Sequence, residues 1–225
     1  MVFGMTLKKT YRKLWLRPTT VALKQLARRL HGRHGFEWVD PDAAAMEIPN
    51  ARSAAVIAKS ILSEFQPRRV IHVGCGTGSL LAVLQNAKCS VFGLECSDAA
   101  LLECRAKKLP VRKFDLQRDS FDPADRFDVV VSIGVAERLP ESMSERYVDF
   151  LCGLGDRIVF SATSPGRGGT DAINEQLAGY WIGKFCNRGW FLEDGRSMQW
   201  RYDWKTTGVV ERHYYESVMI FRRLG

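Results

Sequence analysis

Three glycines spaced two apart, Gly74, Gly76 and Gly78, lie between a short β-branched run, Val70–Val73, and a helix-forming run, Ser79–Leu84. At that spacing the backbone can turn tightly and bring its N–H groups close to a ligand at a helix N-terminus, where a Cβ would block both. A second strand-like run, Ser90–Leu94, ends at Glu95, about 20 residues on, where a carboxylate can accept hydrogen bonds from ribose hydroxyls. The dinucleotide fingerprint is not met, because Ser79 stands in place of its third glycine. There is also no Gly-Lys-Ser/Thr, so the loop is not a phosphate-binding P-loop.

The elements that must position this loop follow from periodicity. A helix is predicted over Asn50–Phe65, with Asn50 as its cap and Ala54, Ile57, Ala58, Ile61 and Phe65 facing inward. Strands and helices then alternate: strand 70–73, helix 78–87, strand 90–94, helix 98–108, strand 111–114, strand 127–133, helix 142–152 and strand 157–162. Alternation at this spacing predicts an α/β fold, a parallel sheet with helices on both faces. The glycine-rich segment 164–169 follows the fifth strand, at the carboxyl edge where open α/β sheets bind ligands.

At 225 residues the chain suits one catalytic-size domain with a substantial core. No apolar run reaches the ~18–20 residues of a membrane span, and no apolar stretch follows the basic N-terminus as a secretory signal requires. Six cysteines without Cys-x-x-Cys spacing read as core residues of a reducing compartment, and the cytoplasm is the expected location. The net charge of +8 is uneven: residues 1–40 hold nine Lys/Arg against Glu37 and Asp40, while the other 185 residues hold 24 basic and 23 acidic groups. The chain thus divides into a basic amphipathic helical extension, 1–40, and a nearly neutral body, 41–225. Within the extension, Leu7, Tyr11, Leu14 and Trp15 share one helical face, and Leu23, Leu26 and Leu30 another. Such a face packs on its own domain, lies on an anionic membrane surface through residues 7–30, or grips nucleic acid; all three readings stay open here. His31 and His34 flank a glycine with no third ligand nearby, so no metal site is expected.

Val70–Leu81 with Glu95 resembles the first two motifs of class I S-adenosylmethionine (SAM)-dependent methyltransferases. Val111–Leu116 is similar to the family's third-strand end, and Phe127–Pro140 to its fourth-strand motif, so the resemblance spans roughly residues 50–160 in the family's order. It implies a Rossmann-like class I methyltransferase fold, with a mostly parallel seven-stranded sheet, an antiparallel last strand and an N-terminal helical extension. It implies SAM as cofactor, with Gly74, Cys75, Gly76 and Gly78 at the methionine end, Glu95 and Cys96 at the ribose, Asp115 and Leu116 at the adenine, and Ser132 and Ile133 near the methionine part. His72 departs from the family's usual Asp.

Gly168, Gly169, Asn174, Tyr180 and Trp181 resemble a subgroup of bacterial methyltransferases, with Ala172 where that subgroup has His. Relatives that methylate RNA ends carry a Glu-x-x-Glu-His metal site; here the run is Gly134-Val-Ala-Glu137-Arg138, which lacks two of the three ligands. Methyl transfer from a sulfonium relies mainly on a near-attack geometry, and a hydroxyl acceptor additionally wants a base. The polar candidates for that work are Glu137, Asp171, Asn174 and His213. The favoured expectation is methylation of a small-molecule or glycan-type acceptor, free or lipid-linked, on oxygen. An RNA methyltransferase using the basic arm, or a SAM-binding protein without turnover, are the alternatives. Trp181, Trp190, Trp200 and Trp204, interleaved with Arg188, Arg196 and Arg201, would stack bases, wall a small-molecule pocket, or pack the last strands.

Overall fold

A computed structural model of the chain describes residues 43–124, 126–167 and 172–224, with side chains from Ala51 onward. The basic extension, His31, His34, Gly168, Gly169 and Asp171 lie outside the described residues, and so do the readings placed on them.

The described residues open with α1 (Ala43–Phe65) and continue through β1 (Arg69–Val73), α2 (Ser79–Asn86), β2 (Ser90–Glu95), α3 (Asp98–Ala106), β3 (Val111–Lys113) and β4 (Val129–Ile133). There follow α4 (Ser144–Leu154), β5 (Arg157–Ser161), α5 (Ala178–Cys186), β6 (Trp190–Leu192), α6 (Asp194–Thr207), α7 (Arg212–Ser217) and β7 (Val218–Arg223). The seven strands form one sheet in the order β3-β2-β1-β4-β5-β7-β6. Pairs from β3 to β5 are parallel, and β7 is antiparallel to both β5 and β6. This is the Rossmann-like sheet with a reversed last strand that the resemblance implied.

The strands form where the sequence is β-branched and covered on both faces: all five residues of β4, Val-Val-Val-Ser-Ile, are buried. One face carries Val70, Val129, Val131 and Ile220 beneath α1, α2 and α6. The other carries Ile71, Val130, Ile158 and Phe160 beneath α4 and α5. Ser97 caps α3 by accepting from Ala100 N–H at 3.0 Å. One expectation is corrected: Asn50 is no cap, because α1 begins at Ala43, in an alanine run of high helix propensity.

The aromatic-rich C-terminal third resolves into core. Trp181, Trp190, Trp200 and Trp204 are all buried, so none of the four presents a face for base stacking. Trp204 Nε1–H donates to Ser60 Oγ at 2.9 Å, and Arg196 pairs with Glu64 at 2.6 Å, which fastens α6 to α1. Among the described residues no helix is long and apolar enough to cross a membrane.

Candidate functional site

The glycine loop closes the carboxyl end of β1 as expected, and the structure separates the reasons for its three glycines. All three have positive φ, +71°, +53° and +79° in turn, which only glycine adopts without strain. At Gly74 a Cβ would collide with Val135, and at Gly78 with Leu109 and with Cys104 Sγ, the latter at 2.8 Å. Those two glycines are required by the protein's own packing. A Cβ at Gly76 would meet nothing within 4 Å, so this is the position where the backbone faces open space. The loop leads directly into α2, whose cap residue is Gly78 in the left-handed conformation, so backbone donors face a prospective ligand.

Glu95 straps this loop to the end of β2. Its Oε2 accepts from Gly76 N–H at 2.8 Å, and its Oε1 from the N–H groups of Cys96 and Ser97 at 2.8 and 2.9 Å. Sequence reading assigned Glu95 to a ribose alone; the structure adds that the same carboxylate fixes the loop. A carboxylate has about four lone-pair sites, so Oε2 retains capacity for a ligand hydroxyl. Cys96 places its thiol 3.4 Å from Glu95 Oε1, and burial beside that carboxyl pushes the thiol pKa well up. Cys75 is buried, and its thiol pKa is raised by its hydrogen bond to Cys104 and by burial.

Asp115 caps the turn after β3, accepting from Gln117 N–H at 2.9 Å, with Arg118 3.6 Å away; it and Leu116 are half-buried at the sheet's carboxyl edge. The Ser132 side chain is fully buried, its hydroxyl donating to Val73 C=O at 3.1 Å and bonded to Tyr147 Oη, so it pins β4 to β1 and α4. Ile133, one residue on, is 8% exposed.

A second group of side chains collects beyond β4. Gly134 turns the chain with φ +71°, its N–H donating to Ser161 Oγ at 3.0 Å. The following single 3₁₀ turn, Ala136–Arg138, presents Glu137. That carboxylate is 5% exposed. Its Oε1 accepts from Thr163 Oγ1 at 2.8 Å, and its Oε2 is buried without a partner. Burial raises the Glu137 pKa, opposed by hydrogen bonds from the backbone and from Thr163 and by the nearby Arg138 charge. A Cβ built on Gly134 would lie 3.2 Å from the Tyr214 ring and 3.9 Å from Glu137 Oε1, so Tyr214 and Glu137 border the same small space. Burial pushes Tyr214 up to about 12 and lowers the neighbouring His213, whose ring centroid is 4.0 Å from that of Tyr214.

Asn174 is held differently. It is buried, its Nδ2 donates to Ser144 Oγ at 3.2 Å, and its Oδ1 accepts from Gln176 at 3.0 Å. The N–H groups of Ile173 and Asn174 both donate to Glu137 C=O, at 2.8 and 2.9 Å. Asn174 therefore braces the Glu137 turn through its backbone N–H, with its side-chain amide tied to Ser144 and Gln176. Sequence reasoning missed Thr163 and Gly134, and had Tyr214 only as one of many C-terminal aromatics. The available signal was their place: Gly134 ends an apolar strand at the carboxyl edge, and Thr163 directly precedes the glycine-rich segment.

This geometry matches known proteins. Residues 71–152, from β1 to α4, match the family model described as methyltransferase domain. No curated protein matches the sequence. Among solved structures, the chain is similar to magnesium protoporphyrin IX methyltransferase from Synechocystis with bound SAM, at 15% identity and TM-score 0.58, over 89% of this chain and 97% of that one. It is also similar to a TehB-like SAM-dependent methyltransferase from Corynebacterium glutamicum, at 16% identity and TM-score 0.55, over 92% and 100% of the two chains. Streptomyces venezuelae DesVI shares the fold at 14% identity and TM-score 0.54, over 80% and 95%. The residues present fit SAM: an open backbone face at Gly76 for its methionine end, and a strapped carboxylate at Glu95 with capacity for a hydroxyl. Taken with the strand order and the glycine loop, residues 71–152 are a methyltransferase domain in a Rossmann-like sheet, and the cofactor that this loop and Glu95 fit is S-adenosylmethionine.

Proposed function

We propose that the protein methylates a hydroxyl of a small-molecule or glycan-type acceptor, and that Glu137 is the base. The observation carrying this reading is the Glu137 carboxylate: buried, raised in pKa, and with Oε2 free of any protein partner. An unpaired buried oxygen is costly, and a base works best when burial has moved its pKa toward the working pH. Bound SAM would supply an electrophilic methyl group with S-adenosylhomocysteine as the leaving product, and Glu137 Oε2 would take the proton that the acceptor hydroxyl gives up. Gly74, Cys75, Gly76 and Gly78 would hold the methionine end, Glu95 the ribose through Oε2, and Asp115 with Leu116 the adenine. Tyr214 and His213 would border the acceptor. The small-molecule class is supported by the fold neighbour named for magnesium protoporphyrin IX.

Purified protein is incubated with methyl-labelled SAM and extract of its source cells, then separated into RNA, lipid/glycan and small-molecule fractions. Label in the last two, in a form that mass spectrometry identifies as an O-methyl group, is the expected result. Label in nuclease-sensitive material would overturn it and assign residues 1–40 to a nucleic-acid grip. Cofactor binding with no label in any fraction would favour a SAM-binding protein without turnover.

A further inference from the structure

We propose that Thr163 is a positioning residue for methyl transfer: its hydroxyl holds one oxygen of Glu137 so that the other is left, ionised and oriented, for the acceptor proton. The inference rests on the reading of Glu137 as the base and adds a residue that neither the motifs nor the fold comparison singles out.

The argument is geometric. Thr163 lies two residues past β5, 3% exposed, and Glu137 lies four past β4, 5% exposed; the parallel pairing of the two strands brings their carboxyl ends together. Oγ1 to Oε1 is 2.8 Å, the length of a sound O–H···O bond. A carboxylate oxygen can only accept, so when Glu137 is ionised the threonine hydroxyl must donate. That bond, with the two N–H groups clamping the Glu137 carbonyl, fixes the turn of the carboxylate plane and leaves Oε2 as the oxygen without a partner. An unpaired acceptor in a protein interior calls for an explanation; an incoming acceptor hydroxyl supplies the missing donor.

The same bond acts on proton affinity. Burial favours the neutral acid, and a donated hydrogen bond favours the carboxylate. Thr163 thus works against burial at Glu137, alongside the backbone and Arg138 on the same turn. Among the described residues, the other ionisable groups around this pocket are Tyr147 from α4 and Tyr214 from α7, both raised in pKa by burial, and His213 beside Tyr214, lowered by burial; all three are neutral at physiological pH. Removing the Thr163 hydroxyl should therefore shift the balance to the protonated acid, which cannot accept a proton through Oε2 when that oxygen carries one.

The test needs no acceptor. Protein labelled with ¹³C at the glutamate side-chain carboxyl is titrated by NMR in the presence of S-adenosylhomocysteine, and the Glu137 signal is identified by its loss in Glu137→Gln. A hydrogen bond to a charged group is worth about one pKa unit or somewhat more, so Thr163→Val should raise the Glu137 midpoint by roughly that much. Thr163→Ser should return it to the wild-type position. An unmoved midpoint in a Thr163→Val protein that keeps its melting transition overturns the proposal; if valine disturbs packing, Thr163→Ala gives the same readout. Methyl transfer to the active fraction separates the two levels of the argument. Full activity in Glu137→Gln removes the base reading while the titration still scores Thr163. Lost activity in Glu137→Gln with an unmoved Thr163→Val midpoint removes Thr163 alone.

Discussion

The two ends of the site are built on opposite plans. The cofactor end is a backbone structure: three glycines, a helix N-terminus and one carboxylate gathered within residues 74–97, with Glu95 holding three N–H groups. The proposed acceptor end is made of side chains from distant parts of the chain: Glu137 after β4, Thr163 after β5, and Tyr214 on α7. The contrast teaches where specificity can vary. A loop whose glycines are fixed by Val135, Leu109 and Cys104 tolerates little change, whereas side chains on separate turns can be exchanged without disturbing the sheet that carries them.

The largest effect should come from dividing the two ends. Glu137→Gln is expected to lower the methyl-transfer rate by about 10²–10⁴-fold, the usual contribution of a positioned base, while S-adenosylhomocysteine affinity measured by calorimetry stays within about twofold. An equal loss of both would break the comparison. Next is an acid response at the cofactor end. His72, on β1 two residues before Gly74, is buried with neither ring nitrogen bonded to protein, and burial lowers its pKa to about 4. Its folded pKa is depressed below about 6.5, so the unfolded chain takes up the proton first. The stability contributed by neutral His72 is complete above pH 6.5 and falls as pH drops toward 4, by about 3 kcal/mol at most. Urea unfolding across that window should show this slope in the wild type and a flatter one in His72→Leu; parallel slopes would remove the assignment.

The glycines give a smaller and sharper test. Gly78→Ala drives a methyl group against Leu109 and Cys104 and is expected to cost about 2–3 kcal/mol of stability in thermal unfolding. Gly76→Ala, with open space around its Cβ, should cost only the ~1 kcal/mol of its left-handed backbone, yet weaken cofactor binding. If both variants unfold alike, Gly76 does not face the ligand. Glu95→Ala should weaken S-adenosylhomocysteine binding by more than about tenfold, or 1.4 kcal/mol; unchanged affinity would end the ribose assignment.

These two plans also explain what was legible beforehand. The strand and helix pattern and the glycine loop were readable because their determinants are local: β-branched runs, glycine spacing and a carboxylate at a strand end. What the Ser132 hydroxyl does was not legible, because position on a strand tells little about which bond a hydroxyl will find, and it found Val73 C=O, 59 residues away in sequence. Asn174 was legible as a polar candidate, but not its packing against the Glu137 turn with its amide bonded to Ser144 and Gln176. Thr163 and Tyr214 stand 26 and 77 positions from Glu137, and nothing in their neighbourhoods marks the meeting. For the tryptophans, base stacking, a pocket wall and core packing all stayed open, because burial is a tertiary property that spacing does not report.

The bonds between α1 and the far end of the chain carry a consequence for how the molecule is made. Ser53 accepts from Glu211 N–H, Ser60 accepts from Trp204 Nε1–H, and Glu64 pairs with Arg196, across separations of 158, 144 and 132 residues. On a ribosome that supplies residues one at a time, β1, α2 and β2 can meet early. The part of α1 that receives Trp200 and Trp204 must wait for nearly the whole polypeptide, and β5 waits for β7 in the same way. Contacts this distant slow folding and leave apolar surface uncovered in the interval. The newborn protein is therefore at its most vulnerable to aggregation just before its last helices emerge.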